Sequence, residues 1–220
     1  MDRSLFLAPA LEVAPLLLGS QLTLHPSSAL DASSSLDQSV TVRITEVEAY
    51  HGVGVAGLYD AGSHSRDRKT ERNASMFGPP GHSYVYFSYG MHFAINFVCS
   101  PEGVASGVLI RAGEVTEGAE TARRRREAGR SSKPIADHQL ARGPGNLASA
   151  LGITRPLHDG LDLFARPFEL REANASTTQI AAGPRVGVSG DAGGRGFPWR
   201  FWIAGDPTVS AYRPGNNVPR

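Results

Sequence analysis

The 220-residue sequence has little of several features that commonly reveal a protein class. Its single cysteine, Cys99, excludes an internal disulfide and a zinc site built from cysteines, and it favours a reducing compartment. No segment is long and apolar enough to cross a membrane. Net charge is only +1, so any basic surface has to be local.

Lysine is scarce as well. Lys69 and Lys133 are the only lysines among 22 Lys and Arg residues, so arginine supplies the other 20 (22 − 2). Arginine forks match phosphate groups and base edges better than lysine does. The codon bias of a GC-rich genome explains the same skew equally well, so composition alone assigns no partner.

The size and composition predict one globular domain. Hydrophobic residues make up 40% and charged residues 20% of the chain, which is ordinary for a globular protein with a single core. We expect one domain over residues 1–220, with a surface loop at 25–38 and a frayed tail at 212–220. The sequence contains no internal repeat and no domain linker.

The stretch Gly81–Asn96 predicts a β-hairpin. It is dense in aromatic and β-branched side chains, and Gly90 lies in a turn, where glycine can take a positive φ without a Cβ clash. Because side chains alternate along a strand, Tyr86 and Tyr89 point to opposite faces, Tyr86 toward the body of the protein and Tyr89 near the tip. Such rings can equally well fill a core.

Residues Ser39–Tyr50 alternate with a period of two. Their even positions begin with valine and isoleucine and continue with Glu46 and Glu48, which predicts a strand whose apolar side also carries two carboxylates. If the strand stays straight, both acids enter the interior or line a pocket, and function is one reason to keep them there. If the strand ends near Thr45, both acids are solvated.

Other elements follow from local patterns. A Gly-rich loop spans 51–68, and an arginine-rich segment at 66–73 precedes the hairpin. This segment is either a nucleic-acid contact surface or a solvated face. We predict a helix over Glu114–Arg126, whose four terminal arginines suit a helix C-terminus. Strands are predicted at Ser106–Arg111, Arg185–Val188 and Trp199–Ile203.

Several stretches carry the motifs of one enzyme family in that family's order. They are ITEVEAYHG (44–52), SHSRDRKTERNASMFGPPGHSYVYFSYGMHFAIN (63–96), GVLIRAGE (107–114), RGPGNLASALGI (142–153), PRVGV (184–188) and PWRF (198–201). The chain therefore resembles the 3-methyladenine DNA glycosylases of the alkyladenine type. The resemblance covers most of the sequence, and the central stretch is specific.

The resemblance implies an enzyme that flips a damaged purine out of double-stranded DNA into a pocket and hydrolyses the N-glycosidic bond. Glu48 would be the general base that deprotonates the attacking water. Arg111 and the carbonyl of Val186 would help to hold that water. We expect a single α+β domain with a curved, mainly antiparallel sheet or open barrel and helices packed outside.

The resemblance also implies substrate contacts. Tyr50 and His64 would sandwich or contour the flipped base against Tyr86. Asn96 would lie at the pocket floor and reject the exocyclic amino group of guanine. On the DNA side, Tyr89 would wedge into the duplex, and the resemblance gives DNA contacts to two further residues, Met91 and Arg72.

No cofactor or metal is expected. Neither lysine stands at a motif position for a Schiff-base nucleophile, which predicts a monofunctional glycosylase, and His51, Asp60 and His64 lack the tight spacing of a zinc site. We expect a cytoplasmic, nucleoid-associated monomer whose partner is double-stranded DNA with a damaged purine. The alternatives are a non-catalytic damage-binding module and a small-molecule hydrolase or transferase on a related barrel.

Two departures from the family pattern stand out. The loop 53–59 is longer and more apolar than the usual acidic-polar connection and could reshape or cover the pocket. Asn146 stands where the family typically has lysine, which would remove a phosphate contact and weaken DNA affinity rather than the chemistry.

Overall fold

The computed structural model describes residues 1–26, 38–57, 59–88, 90–128, 134–173 and 179–219. Nine strands of these residues form one sheet. The strands are β1 (Gln21–Leu24), β2 (Val40–His51), β3 (Ser83–Ser88), β4 (His92–Val98), β5 (Ser106–Glu117), β6 (Ala141–Arg142), β7 (Phe168–Arg171), β8 (Ile180–Gly183) and β9 (Arg200–Ile203). The α-helices are α1 (Ala10–Leu16), α2 (Ala119–Glu127), α3 (Pro144–Leu151) and α4 (Arg155–His158).

The sheet is antiparallel and open. Its main order is β3-β4-β5-β2-β1-β7, with β6 beside β5 and β8 beside β9. The long central strand β2 pairs with β5 along one edge, and its other edge is shared between β1 and β9. This arrangement confirms the predicted α+β domain with a mainly antiparallel, unclosed sheet. Within the described residues, no helix has the length and apolar character needed to span a membrane.

Helices α1, α2 and α3 cover one face of the sheet. Their apolar residues, including Val13 and Leu147, form a single buried cluster with Ile44 and Ile110 of the central strands. The cluster is anchored by side chains that are fully removed from water, which is the main favourable term in folding. Because the helices occupy this face, the opposite face of β2 and β5 is left for the site described below.

Strand β2 does not end near Thr45, and both acids are buried, but its side-chain alternation changes phase in the middle of the strand. The prediction that Glu46 and Glu48 share the side of the strand that carries Val40 and Ile44 is therefore wrong. Val40 to Ile44 contribute even positions to the core, whereas Val47 and Ala49 contribute odd ones. The register with β5 shifts on both sides of Glu46. A bulge of this kind inserts one unmatched residue and re-aims the side chains beyond it. Glu46 and Glu48 therefore lie on the face opposite the helices.

A glycine permits this irregularity. Gly113 of β5 pairs with Ile44 just before the register shift. A Cβ atom at Gly113 would lie 2.2 Å from Cγ1 of Val42 and 2.6 Å from the carbonyl oxygen of Arg43. Only glycine allows the two backbones to approach this closely.

The hairpin prediction is confirmed by the antiparallel pair β3–β4. Two other predictions are wrong. The segment that begins at Glu114 continues strand β5 to Glu117, and α2 starts only after Gly118, whose φ of +75° redirects the chain. Residues 185–188 form a loop rather than a strand, because they leave the sheet to bind the face of β2 that bears Glu48.

The arginine run of α2 is used inside the fold. Arg125 donates to the carbonyl of Leu151 at 2.8 Å, and Arg126 donates to those of Gln139 and Leu140. These bonds satisfy carbonyls at or near element ends, which otherwise lack partners. These contacts within the fold are enough to explain the arginine run at the end of α2, and no ligand is needed.

Two predicted surface segments are described only in part. Residues 27–37 of the loop expected at 25–38 lie outside the described residues. Residues 213–219, the part of the tail beyond Tyr212 that the structure describes, carry no regular secondary structure. The N–H groups of Gly187 and Gly190 nevertheless donate to the carbonyls of Arg213 and Asn216 at 2.8 and 2.9 Å.

Candidate active site

A cleft of about 620 Å³ opens on the face of β2 and β5 that the helices leave free. Its walls come from the hairpin, the loop 61–64 and the loop 186–189. This volume is in the range of sites that bury a small organic ligand. Eight residues that the sequence selected line the cleft together: Glu48, Tyr50, His64, Arg72, Tyr86, Asn96, Arg111 and Val186.

The Glu48 carboxylate is held in the cleft by two hydrogen bonds and by the nearby charge of Arg111. Its side chain is fully buried by the protein. The Tyr50 hydroxyl donates to Oε2 at 2.8 Å, the backbone N–H of Val186 donates to Oε1 at 2.7 Å, and Nε of Arg111 lies 3.5 Å from Oε1. These bonds leave accepting capacity on both oxygens, because a carboxylate accepts about four hydrogen bonds.

Tyr50 acts on Glu48 as a neutral donor. Burial, followed by the negative charge of Glu48, raises the pKa of the Tyr50 phenol well above its usual value. The phenol therefore stays protonated at neutral pH and keeps donating to the carboxylate. One residue thus combines an aromatic ring beside the cleft with a bond that orients a buried acid.

The two carboxylates of β2 differ in their surroundings. Glu46 accepts from Nε of Arg111 at 3.0 Å, from Nε of Arg200 at 2.6 Å, and from the N–H and hydroxyl of Ser210 at 2.7 and 2.9 Å. Three of these bonds fall on Oε1 and one on Oε2, so Glu46 accepts more hydrogen bonds within the fold than Glu48 does. Glu46 is absent from the described lining of the cleft, whereas Glu48 lies in it. Only Glu48 is therefore available to a bound molecule.

Arg111 spans both acids. Its Nε donates to Glu46 and to the hydroxyl of Ser210, at 3.0 and 3.2 Å. Burial opposes its charge, but the Glu48 and Glu46 carboxylates outweigh burial and raise the pKa of the guanidinium. The side chain is a fixed positive charge at the cleft surface, beside the carboxylate that faces the cleft.

His64 is a neutral ring in edge contact with the hairpin. Its ring centroid lies 4.6 Å from that of Tyr86 at an interplanar angle of 88°. Burial, with Arg72 and Arg66 nearby, lowers the pKa of His64 below 6.5. Nδ1 is 3.2 Å from the hydroxyl of Tyr84, a phenol whose pKa is raised by burial, so a hydrogen bond links the two side chains. A 4.6 Å separation leaves no space for a base between the rings of His64 and Tyr86.

Asn96 forms part of the inner wall. It lies on β4 opposite Tyr84 of β3 and Leu109 of β5, and its amide donates to the carbonyl of Tyr84 at 3.2 Å. Only 4% of the residue is exposed. The hairpin pairing therefore fixes this amide beside the aromatic wall.

Of the three residues expected to contact DNA, the structure describes two. Arg72 is exposed and lines the cleft, and Met91 is 68% exposed at the hairpin turn. Tyr89, expected to act as the wedge, lies outside the described residues. Asn146 donates to the carbonyl of Arg142 at 2.6 Å, which uses its amide within the fold.

The described part of the unusual apolar loop 53–59 does not cover the cleft. None of its described residues, 53–57 and 59, lines it. Val53 instead exchanges backbone hydrogen bonds with Ser65 and Ala105 at 2.9 Å each. The described part of the loop is therefore held away from the opening.

No local sequence pattern predicts the buried pair of Arg185 and Asp60, which lies behind the cleft. Both side chains have no solvent exposure, and the carboxylate accepts from both terminal nitrogens at 2.6 and 2.8 Å. Asp60 lies in the Gly-rich loop 51–68 and Arg185 in the motif PRVGV (184–188), but neither stretch by itself indicates that the two side chains are in contact. Among the described residues, no group of three or more His, Cys, Asp or Glu side chains could hold a metal ion.

Comparison with known proteins identifies the family to which this chain belongs. The family model for methylpurine-DNA glycosylase matches residues 4–207. A protein of Leifsonia xyli is 49% identical over 211 residues, covering 96% of this chain and 92% of the relative, and one of Streptomyces avermitilis is 48% identical over 217 residues, covering 97% and 92%. A Mycobacterium leprae protein is 45% identical over 182 residues, covering 83% and 81%. All three carry the name 3-methyladenine DNA glycosylase as a provisional assignment. With a match over nearly its whole length, this chain belongs to the methylpurine-DNA glycosylase family.

Proposed function

We propose that this protein is a monofunctional DNA glycosylase that flips alkylated purines, chiefly 3-methyladenine, out of double-stranded DNA and hydrolyses their N-glycosidic bonds. The observation that carries the proposal is the Glu48 carboxylate, buried by the protein yet facing a cleft bordered by aromatic rings. Family membership and the names of the relatives support the same activity. Excision of this kind would start base excision repair.

In the proposed reaction, Glu48 orients a water molecule against C1′ of the flipped nucleotide and accepts its proton as the new C–O bond forms. The N-glycosidic bond breaks with its electron pair moving to the purine, so an N3-alkylated cationic base leaves as a neutral molecule. Arg111 and the carbonyl of Val186 would help to hold the water. The hydrogen bonds from Tyr50 and Val186, with the charge of Arg111 nearby, keep the carboxylate oriented for this step.

Base recognition would depend on the aromatic walls. Tyr86 offers a ring face for stacking, with Tyr50 on the Glu48 side of the cleft and His64 bordering the base, since His64 already meets Tyr86 edge-on. Stacking on an aromatic ring is worth about 1–3 kcal/mol per base, which is comparable to the few kcal/mol needed to flip a base. A cationic purine also gains attraction from electron-rich ring faces. Asn96 would reject the exocyclic amino group of guanine.

Strand cleavage is not expected, because the reaction needs no amine nucleophile. The Lys69 ammonium lies 5.7 Å from the centroid of the Phe77 ring, and this lysine is not among the residues that line the cleft. Lys133 is outside the described residues. The product would be an abasic site in an intact strand.

DNA would approach the cleft from the hairpin side. Arg72 would contact a phosphate, Met91 would contact the duplex near the hairpin tip, and Tyr89 would fill the gap left by the flipped base. Phosphate contacts of this kind make affinity fall steeply with rising salt. Chromosomal DNA as substrate agrees with the expected nucleoid location.

The test is a base-release assay on duplexes that carry 3-methyladenine, 7-methylguanine, hypoxanthine or ethenoadenine, with an unmodified duplex as control. The wild-type protein should release 3-methyladenine fastest, and Glu48→Gln should abolish release while binding the same duplex. Undiminished release by Glu48→Gln would refute the mechanism. Salt-sensitive binding without release by the wild type would instead identify a damage-binding module.

A further inference from the structure

We propose that Arg185 is a positioning residue that aligns Tyr50, Val186 and the loop bearing His64 around Glu48. The inference rests on the proposed function and adds a residue to its machinery. Arg185 is fully buried and does not line the cleft among the described residues, so it would act through its neighbours.

The guanidinium of Arg185 joins three chain segments. Nη1 donates to the carbonyl of Ala49 at 3.0 Å and to Oδ2 of Asp60 at 2.8 Å. Nη2 donates to Oδ1 of Asp60 at 2.6 Å and to the carbonyl of Ala192 at 3.0 Å. Four donor contacts thus connect β2, the loop after it and the loop after β8.

The contacts of Arg185 to Ala49 and Asp60 hold chain segments that border the cleft. Ala49 lies between Glu48 and Tyr50 in β2, so its carbonyl sets the backbone that presents both side chains. Asp60 also accepts the N–H of Gly62 at 3.0 Å, which anchors the loop leading to His64. Arg185 itself precedes Val186, whose N–H binds Glu48.

The same guanidinium supports the ring of Tyr50. Its central carbon lies 4.5 Å from the ring centroid of Tyr50 and 5.1 Å from that of Trp199. A planar, always-charged group can stack on a ring while donating in its own plane. Lysine can supply the charge but not this geometry, so the position requires arginine.

Stability alone does not account for the pair. Burying both charges removes them from water, and buried ion pairs are often no more stable than apolar side chains of similar size. Nε of Arg185 is also buried without a partner among the described residues. Alignment of the cleft is a function that such a pair can serve and that apolar packing cannot.

The test compares Arg185→Lys with the wild type in single-turnover excision from a 3-methyladenine duplex at saturating protein. We expect the rate constant to fall by about 10²-fold, the effect of a displacement near 1 Å. Affinity for an undamaged duplex should change less than about twofold, because no DNA contact is altered. Arg126→Lys is the matched control, since Arg126 is also buried and bonded to carbonyls; it should retain the wild-type rate.

A double-mutant cycle separates positioning from general loosening of the fold. If Arg185 acts through Tyr50, adding Tyr50→Phe to Arg185→Lys should lower the rate much less than the product of the two single effects. Independent, multiplicative effects would overturn the proposal, and so would an unchanged rate in Arg185→Lys. If Arg185→Lys does not fold, Asp60→Asn combined with Arg185→Gln removes both buried charges together and undergoes the same measurements. Absence of excision by the wild type would refute the proposed function itself.

Discussion

Replacing each acid of β2 by its amide should show which acid supports stability and which supports excision. Glu46→Gln removes a carboxylate that accepts from Arg111, Arg200 and Ser210. Glu48→Gln removes one that faces the cleft and accepts from fewer donors. We expect Glu46→Gln to lower stability strongly and Glu48→Gln to lower excision strongly, with little effect of the latter on stability.

The magnitude follows from the contacts of Glu46. Its Oε1 lies 2.6 Å from Nε of Arg200 and 3.0 Å from Nε of Arg111, and none of its side chain is exposed. Removing one partner of a buried ion pair costs about 3–5 kcal/mol, because the other charge stays buried. In a domain of this size, each kcal/mol lowers the melting temperature by about 2–4 °C. Glu46→Gln should therefore melt roughly 6–20 °C below the wild type.

Thermal unfolding followed by circular dichroism, alongside single-turnover base release, measures both effects. Release should be measured well below the melting temperature of each variant, so that unfolding does not imitate lost chemistry. A melting temperature of Glu46→Gln within about 2 °C of the wild type, less than 1 kcal/mol by the same conversion, would refute the reasoning. Full excision by Glu48→Gln together with none by folded Glu46→Gln would show that the roles of the acids are reversed.

Three further predictions concern other groups. Tyr50→Phe keeps the ring but removes the hydroxyl donated to Glu48, so denaturant unfolding should show a loss of about 1.5–3 kcal/mol, and excision should slow without a change in DNA affinity. Burial lowers the pKa of His51 below 6.5, so the unfolded chain binds a proton that the folded chain does not. The free energy of unfolding should therefore decrease as pH falls below about 6.5, and less so in His51→Phe, as urea titrations near pH 7.5 and pH 5.5 would reveal. Asn146→Lys adds the cation that the family typically has there, so the slope of log affinity against log salt should steepen by about 0.9, and an unchanged slope would argue against a phosphate contact.

The sequence by itself determined the elements that depend on neighbouring residues. Alternation and a turn glycine specify the hairpin β3–β4, because period and turn chemistry act over a few residues. The strand-like character of residues 40–50 is local for the same reason. Family motifs then selected the residues that line the cleft, including Glu48 and Tyr86, although no local pattern states that they meet.

The tertiary structure decided which side of β2 carries the acids. Periodicity assumes a regular strand, and the bulge beside Glu46 depends on the close approach of Gly113 in a strand about 70 residues away. The same holds for Arg185, whose partner Asp60 is 125 residues distant. Hydrogen bonds and charge pairs between distant segments depend on packing rather than on local sequence. Only the folded chain therefore distinguishes Glu46, whose bonds lie within the fold, from Glu48, which faces the cleft.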